Sequence, residues 1–305
     1  MLKPNLLPRY QRLFKQWKMR SKARGLLVYR GPSTLPGLSK KTPVIGAVSF
    51  YCSNLKVGDE YQTWHFNAQV HPIEARRGHT ADACICGEGD NACPFVAAKG
   101  DTVGACYPAG RTLNGIWSSI RRGNYPELAE LAAVLRLPIE ETLTVVGSVP
   151  DGVRLGAYGD PVAMPAAIAQ RLTHKAKERQ GFTHQWRQVS ASAWPRLVMA
   201  SCELPEQVGQ AAALGWRTYT AFPPELTRQE ARRAIVNASG KAARLIIAGC
   251  PATYADGIDC AGCPIQCNGV ERGRPWHVIN AAHGAAHIMR RYNALGYLDR
   301  WRADL

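Results

Sequence analysis

The chain has 305 residues, 46% of them hydrophobic, and its 38 Lys and Arg outnumber its 23 Asp and Glu for a formal net charge of +15. That size and apolar content exclude a disordered chain or a disulfide-stapled miniprotein and allow one large α/β domain or two smaller ones. There is no apolar run of about eighteen residues and no apolar leader, so we expect a soluble, unexported, cytoplasmic protein with no membrane partner. Its ten cysteines then serve metal or thiol chemistry rather than structural disulfides.

The positive charge is concentrated at one end. Residues 1–58 hold twelve Lys or Arg and no Asp or Glu, so the other 26 basic residues face all 23 acidic ones and add only +3. Here Arg9, Arg12, Lys15, Lys18, Arg20, Lys22 and Arg24 interleave with Tyr10, Leu13, Phe14 and Trp17 at helix-like spacing. Such a segment neutralises phosphates and offers rings to bases or to its own domain, which makes nucleic acid the expected partner. A solvated extension with docked aromatics is the alternative. Residues 31–39 read as a linker by their Gly, Pro and Ser content, which divides the chain into a basic arm and linker over 1–41 and a body over 42–305.

In the body, residues 42–53 and 61–71 alternate aromatic or β-branched positions with polar ones and read as strands, while 113–122 and 127–137 read as helices. Beyond Val153, short apolar runs predict strands at 153–158, 182–186, 197–201, 218–222, 244–249 and 276–281. Helical spacing appears at 166–178, 206–214, 229–238 and 285–295. This β-then-α order implies parallel strands with crossover helices, as in a partial or complete (β/α) barrel, with a doubly wound sheet as the competing geometry.

Two groups of four thiols stand out. Cys250, Cys260, Cys263 and Cys267 are spaced C-x9-C-x2-C-x3-C, with three thiols in one compact loop and a fourth after an apolar run. Zinc usually takes paired thiols on separate knuckles, whereas one loop gripping several irons with a remote residue closing the cage is how cubane clusters are wrapped. A [4Fe-4S] cluster is the favoured reading and zinc the alternative. Cys84, Cys86, Cys93 and Cys106 form a looser set. If the chain is extended there, Cys84 and Cys86 point apart, which leaves Cys86, Cys93 and Cys106 as a trio able to hold a cluster with an open iron. In the other reading, His79, Asp82 or Cys84 completes an ordinary structural site. Cys52 and Cys202 read as buried thiols.

Reactive and polar residues follow the expected strands: Gly159-Asp160, His184-Gln185-Trp186-Arg187, Ser201-Cys202-Glu203, Cys250 and His283-Gly284. The carboxyl ends of parallel strands form the ligand face, so these residues predict a functional rim. Asp160 either caps the next helix or meets a ligand hydroxyl or acts as a base. His184, Trp186 and Arg187 suit an aromatic or phosphorylated ligand, with a core histidine as the alternative. His283 reads as a metal or substrate contact, or as core.

Taken together, Cys86-Gly87, Cys93-Pro94, Cys106-Tyr107, Gly156-Ala-Tyr-Gly-Asp-Pro161, Thr183-His-Gln-Trp-Arg187, Met199-Ala-Ser201, Gly215-Trp-Arg217, Cys250-Pro-Ala252 and the Cys260, Cys263, Cys267 triplet form a recognisable ensemble. Over residues 42–285 it resembles a cysteine-rich family encoded by bacteriophages and related mobile elements, akin to the gene product eighty-eight domain family. The resemblance implies a phage protein of the bacterial cytoplasm and no particular reaction. The chain departs from that pattern in its longer Cys86-to-Cys93 spacing, the extra Cys84 and the basic arm. Its plan is also similar to that of radical S-adenosylmethionine enzymes, which join a partial (β/α) barrel to a three-cysteine cluster and often add auxiliary clusters. That likeness implies S-adenosylmethionine as a further cofactor, although the C-x3-C-x2-C signature is absent from the first cysteine segment.

The combined expectation is an iron-sulfur enzyme acting on nucleic acid or a nucleotide. Cys86, Cys93 and Cys106 would hold a reactive cluster and the Cys250 set an auxiliary one, with Asp160, His184, Arg187 and His283 lining the substrate side. The expectation from another class is a non-enzymatic nucleic-acid-binding protein whose iron-sulfur or zinc sites are structural.

Overall fold

The computed structural model describes residues 2–39, 42–51, 60–76, 82–89, 92–96, 105–106, 108, 110–240, 245–260, 262–270 and 276–305. Cys52, His79 and Tyr107 lie outside the described residues. The apolar runs form nine strands: β1 (Gly25–Pro32), β2 (Pro43–Ser49), β3 (Glu60–Asn67), β4 (Gly152–Tyr158), β5 (Glu178–Thr183), β6 (Met199–Cys202), β7 (Thr218–Phe222), β8 (Ile246–Gly249) and β9 (Trp276–Ala281). They make one sheet in the order β1-β2-β3-β4-β5-β6-β7-β9-β8. The β1–β2 and β2–β3 pairs are antiparallel and the other pairs are parallel. The sheet is open, with β1 and β8 as its edges. The chain is therefore an α/β protein, and of the expected geometries the complete barrel does not form.

Twelve helices accompany the sheet among the described residues: α1 (Leu7–Ser21), α2 (Pro72–Ala75), α3 (Ala83–Cys86), α4 (Gly110–Arg121), α5 (Leu128–Leu135), α6 (Ile139–Gly147), α7 (Ala166–Thr173), α8 (Pro205–Ala213), α9 (Arg228–Ser239), α10 (Pro251–Tyr254), α11 (Ala286–Asn293) and α12 (Tyr297–Ala303). None of them is long and apolar enough to cross a membrane.

The basic end belongs to this fold. β1 pairs along β2 from Gly25↔Ser49 to Pro32↔Pro43, so the expected boundary near Thr42 falls between two paired strands. α1 buries Phe14 completely and half-buries Leu7, Tyr10 and Trp17, which with Gln11 and Lys18 make one stripe at i, i+3, i+4 and i+7 spacing. Phe14 meets the Phe50 ring edge-on at 5.3 Å, and Gln11 Nε2 donates to the Ser148 carbonyl at 3.0 Å. Arg9, Arg12, Lys15 and Arg20 remain exposed on the outer side. The aromatics dock on the core, and the charge faces outward.

A second departure concerns β5, which starts at Glu178, four residues before the expected strand, and α7 stops at Thr173. The polar run Glu178-Arg179-Gln180 looks helical in isolation. It is extended because it pairs with Gly152–Arg154 of β4 and its side chains find buried partners: Arg179 donates to the Arg196 carbonyl at 2.8 Å, and Gln180 to Glu60.

The two faces of the C-terminal half of the sheet are covered differently. α8 packs on β6 and β7, and α9 on β9. On the opposite face Met199, Val278, Phe182, Tyr219 and Trp276 meet Cys250, Ile258, Cys263, Ile265 and Cys267. A cysteine-bearing loop supplies the layer that a helix occupies elsewhere.

Because Phe14 lies within the common core, Phe14→Ala should cost about 3–5 kcal/mol in a single cooperative urea transition followed by far-ultraviolet circular dichroism. A separable arm would leave the midpoint of the body unchanged.

Candidate functional site

The two thiol sets occupy opposite ends of β5. The second set, Cys250, Cys260, Cys263 and Cys267, lines one cavity together with Glu178, Arg179 and Gln180 at the start of that strand. His184 follows the end of the same strand. Four residues separate Gln180 from His184, or roughly 13 Å at the rise of an extended chain. The expected placement of the second set beside the rim is corrected accordingly: Cys250 does follow β8, but the loop it opens runs back beneath the sheet face.

That loop is fixed by backbone hydrogen bonds and one buried guanidinium. Gly181 N donates to the Cys267 carbonyl at 3.1 Å, and Cys250 N to the Ile279 carbonyl at 3.0 Å. Arg217, 3% exposed, donates from Nη1 to the carbonyls of Gln266 (2.9 Å) and Asn268 (2.7 Å) and to Asn268 Oδ1 (2.7 Å). Its Nη2 reaches the Ile265 carbonyl (3.2 Å), and its Nε the Trp276 carbonyl (3.2 Å). A charge so buried persists only with partners of this number and geometry, and here they are the carbonyls of the cysteine loop itself. Burial, then the neighbouring Cys250, Cys260 and Cys263, pushes the Cys267 thiol well above its ordinary range. Burial followed by Glu60 pushes Cys260 up to about 11.

Among the described residues, no three His, Cys, Asp or Glu side chains are drawn up as the ligand shell of a single metal ion. The four thiols line a shared cavity, and four thiols are a donor set that a multi-iron cluster and a zinc ion both take.

Beneath this set lies Glu60, 1% exposed, whose carboxylate accepts from Gln180 Nε2. It fits because its neighbour on β4 is Gly152, where a Cβ would come within 2.6 Å of Glu60 Oε1. Burial, opposed by Gln180 and Arg154 and reinforced by Asp259 and Glu178, raises its pKa to about 7.

The first set stands at the rim. Cys86 ends α3, Cys93 N donates to the Cys86 carbonyl at 2.8 Å, and Cys106 N donates to the Phe95 carbonyl at 3.2 Å. Arg76 holds the backbone around the last of these residues, donating to the carbonyls of Cys106 (2.7 Å) and Pro108 (2.6 Å). Burial pushes the Cys86 thiol up, and Asp82, Cys93, Cys106 and Asp160 add to it. Burial and then Cys93 push Cys106 up to about 12. Cys84 is buried on the same short helix, its thiol pushed up to about 12 by burial and then by Asp82. Two positions apart on a helical turn, side chains diverge by about 200°, so Cys84 and Cys86 separate although the segment is helical rather than extended.

The rim residues converge on this trio. Gly159 (φ +74°) lets β4 turn sharply beside His65, where a Cβ would come within 2.8 Å, and so presents Asp160. Asp160 N donates to the Ile85 carbonyl at 2.6 Å. Its carboxylate accepts from Val162 N (3.0 Å), from His184 N (2.9 Å) and from Thr183 Oγ1 at both oxygens (2.8 and 2.9 Å). It caps the 3-10 turn Pro161–Ala163 rather than a helix near Pro165, and it ties the end of β4 to the end of β5. His184 Nε2 then lies 2.8 Å from Glu203 Oε1 and 4.0 Å from Cys93 Sγ. Burial works against a charged imidazole, but Cys93 and Glu203 outweigh it, so the His184 pKa is raised well above its ordinary value. Phe95 stacks edge-on to His184 at 5.8 Å and lies 6.2 Å from Tyr292 of α11.

Two other expected rim residues stand apart. Arg187 is exposed, with its guanidinium 3.9 Å over the Trp186 ring and bonded to Gln210 Oε1 at 3.1 Å. His283 is also exposed, its Nδ1 3.0 Å from the Ala281 carbonyl. Cys202 is buried, as expected. The sequence placed Glu203 among the polar residues that follow the expected strands and Arg217 in the Gly215-Trp-Arg217 motif, but it gave neither of them a role. Glu203 was within reach, since it directly follows β6 at the rim. Arg217 carried no local signal, because its partners lie 48 to 59 residues away.

No family model matches the chain, and neither does any curated protein or solved structure.

The raised pKa of Glu60 makes stability depend on pH. Its protonated form is favoured in the fold, so its stabilisation is complete below the ordinary carboxyl range near 4.5 and is lost as pH rises through about 7. The unfolding free energy of the parent protein from urea titrations should fall between pH 5 and 8 relative to that of Glu60→Gln, by at most about 3 kcal/mol. Parallel profiles for the two proteins would contradict this.

Proposed function

We propose that the protein is an iron-sulfur enzyme acting on nucleic acid or a nucleotide in the cytoplasm of a bacterial host, in keeping with the phage-encoded family it resembles. Its open parallel sheet serves as a partial (β/α) barrel. Cys86, Cys93 and Cys106 hold the reactive cluster, and Cys250, Cys260, Cys263 and Cys267 an auxiliary one that also secures the fold. The observation that carries this reading is the meeting of three mutually interacting thiols with Asp160, His184 and Glu203 at the carboxyl ends of β4, β5 and β6. In parallel sheets that edge is where ligands bind.

A cluster held by three protein thiols supplies one-electron chemistry and an open position for a small ligand such as S-adenosylmethionine. The chain's own residues do the rest. Asp160 fixes the backbone of His184, and Glu203 holds its ring, so a donor of hydrogen bonds, charged when protonated, stands beside the thiols to meet an anionic or carbonyl group. Phe95 packs edge-on against it, and Tyr292 and Tyr297 extend that aromatic layer. Arg187 and His283, placed outside this convergence, act at most on the outer parts of a substrate.

The second reading, a nucleic-acid-binding protein with structural metal sites, draws on the outward basic face of α1. Anaerobic purification with iron and sulfide analysis and electron paramagnetic resonance separates the two. The enzyme reading expects iron, labile sulfide and a signal perturbed by S-adenosylmethionine; Cys93→Ser should abolish that perturbation while Cys263→Ser leaves it. Zinc in place of iron and sulfide would overturn the enzyme reading in favour of the second.

A further inference from the structure

A groove of about 660 Å³ lies on the far side of β1–β3 from the thiol loop's half of the sheet, between the end of α1, the end of β2 and one side of α4. Neither thiol set lines it. Its floor is aromatic: Phe50 is 7% exposed and Tyr125 3%, with Tyr125 OH and Ser49 Oγ 2.6 Å apart. Its wall along α4 is low, with Thr112, Gly115, Ile116 and Ser119 on one stripe, and open space where a Cβ on Gly115 would stand. Tyr51 projects at the mouth with 77% of its surface exposed. The exposed ring offers a flat apolar face, with a polar edge, to a stacking partner.

The charge around the groove has one sign. Lys18 and Arg24 line it, Lys18 Nζ donating to Tyr61 OH at 3.2 Å and standing 5.5 Å from the centres of the Phe50 and Tyr61 rings, and no carboxylate is among the described lining residues. Arg20 and Lys22 lie exposed before Arg24, Arg121 and Arg122 are exposed at the end of α4, and α1 continues the basic surface with Lys15, Arg12 and Arg9. A basic track leads to a cleft with an exposed ring at its mouth. A polyanion with flat apolar faces complements it: phosphates follow the track while a base stacks on Tyr51. The volume suits one nucleotide unit, and a double helix would present no free base face to the ring.

We propose that this groove binds single-stranded nucleic acid, with Tyr51 as the stacking platform and Lys18 and Arg24 as phosphate contacts. The inference rests on the nucleic-acid part of the proposed function and gives it a location and a strand preference.

The test is fluorescence anisotropy of the full-length protein with a labelled oligothymidylate of about 15 nucleotides and with a duplex of equal length, across a salt series. The single strand should bind more tightly than the duplex. Tyr51→Ala should weaken single-strand binding about 10-fold and leave the duplex unaffected, and Tyr51→Trp should restore it. Arg24→Gln should reduce the salt slope by about one charge's worth. Tyr51 is exposed, so its substitutions should leave the thermal midpoint in place. If single-strand affinity is unchanged in Tyr51→Ala and Arg24→Gln while Arg9→Gln/Arg12→Gln/Lys15→Gln loses it, nucleic acid binds but the groove is not its seat. If the parent protein binds neither probe, the nucleic-acid part of the proposed function fails as well.

Discussion

Half of this sheet has helices on one face only, and a parallel sheet with an uncovered apolar face does not persist in water. Residues 250–267 answer that constraint. They lay Cys250, Ile258, Cys263, Ile265 and Cys267 against Phe182, Met199, Tyr219, Val278 and Trp276. A loop has no internal hydrogen-bond ladder to hold its shape, so its carbonyls need external donors. Arg217 provides them from the turn that leads into β7, and Gly181 N adds one from β5. Thiols suit such a layer in two respects: burial keeps them neutral when free, and they turn into strong anchors when they bind metal.

The same arrangement separates two kinds of chemistry. β5 begins against the thiol loop and ends at the rim, so one short strand runs from one thiol set to the other. Its polar sequence follows from that double duty. Gln180 serves Glu60 beneath the loop, while Thr183 and His184 serve Asp160 and Glu203 at the rim. Substitutions near the start of β5 should therefore register as instability, and those near its end as altered chemistry.

Much of this was legible in the residues. Thr218–Phe222 and Trp276–Ala281 form β7 and β9 where expected. Other parts were hidden for physical reasons. β1 carries Gly31 and Pro32, turn-forming types that conceal an edge strand, where a proline costs little. β5 reads as a polar helix because its partners are supplied by β3, by the Pro195–Arg196 turn and by the cysteine loop, none of them local. The roles of Glu203 and Arg217 likewise arise only when distant segments meet.

The thiol loop is the layer that covers this face of the sheet, and we propose that bound metal holds it there. Hydrogen–deuterium exchange of the anaerobically purified protein, before and after removal of metal by a chelator, tests this most directly. The account predicts that metal removal deprotects the amides of β6, β7 and β9 while β1–β4 keep theirs. Unchanged protection in β6, β7 and β9, or an equal loss across the whole sheet, would contradict it.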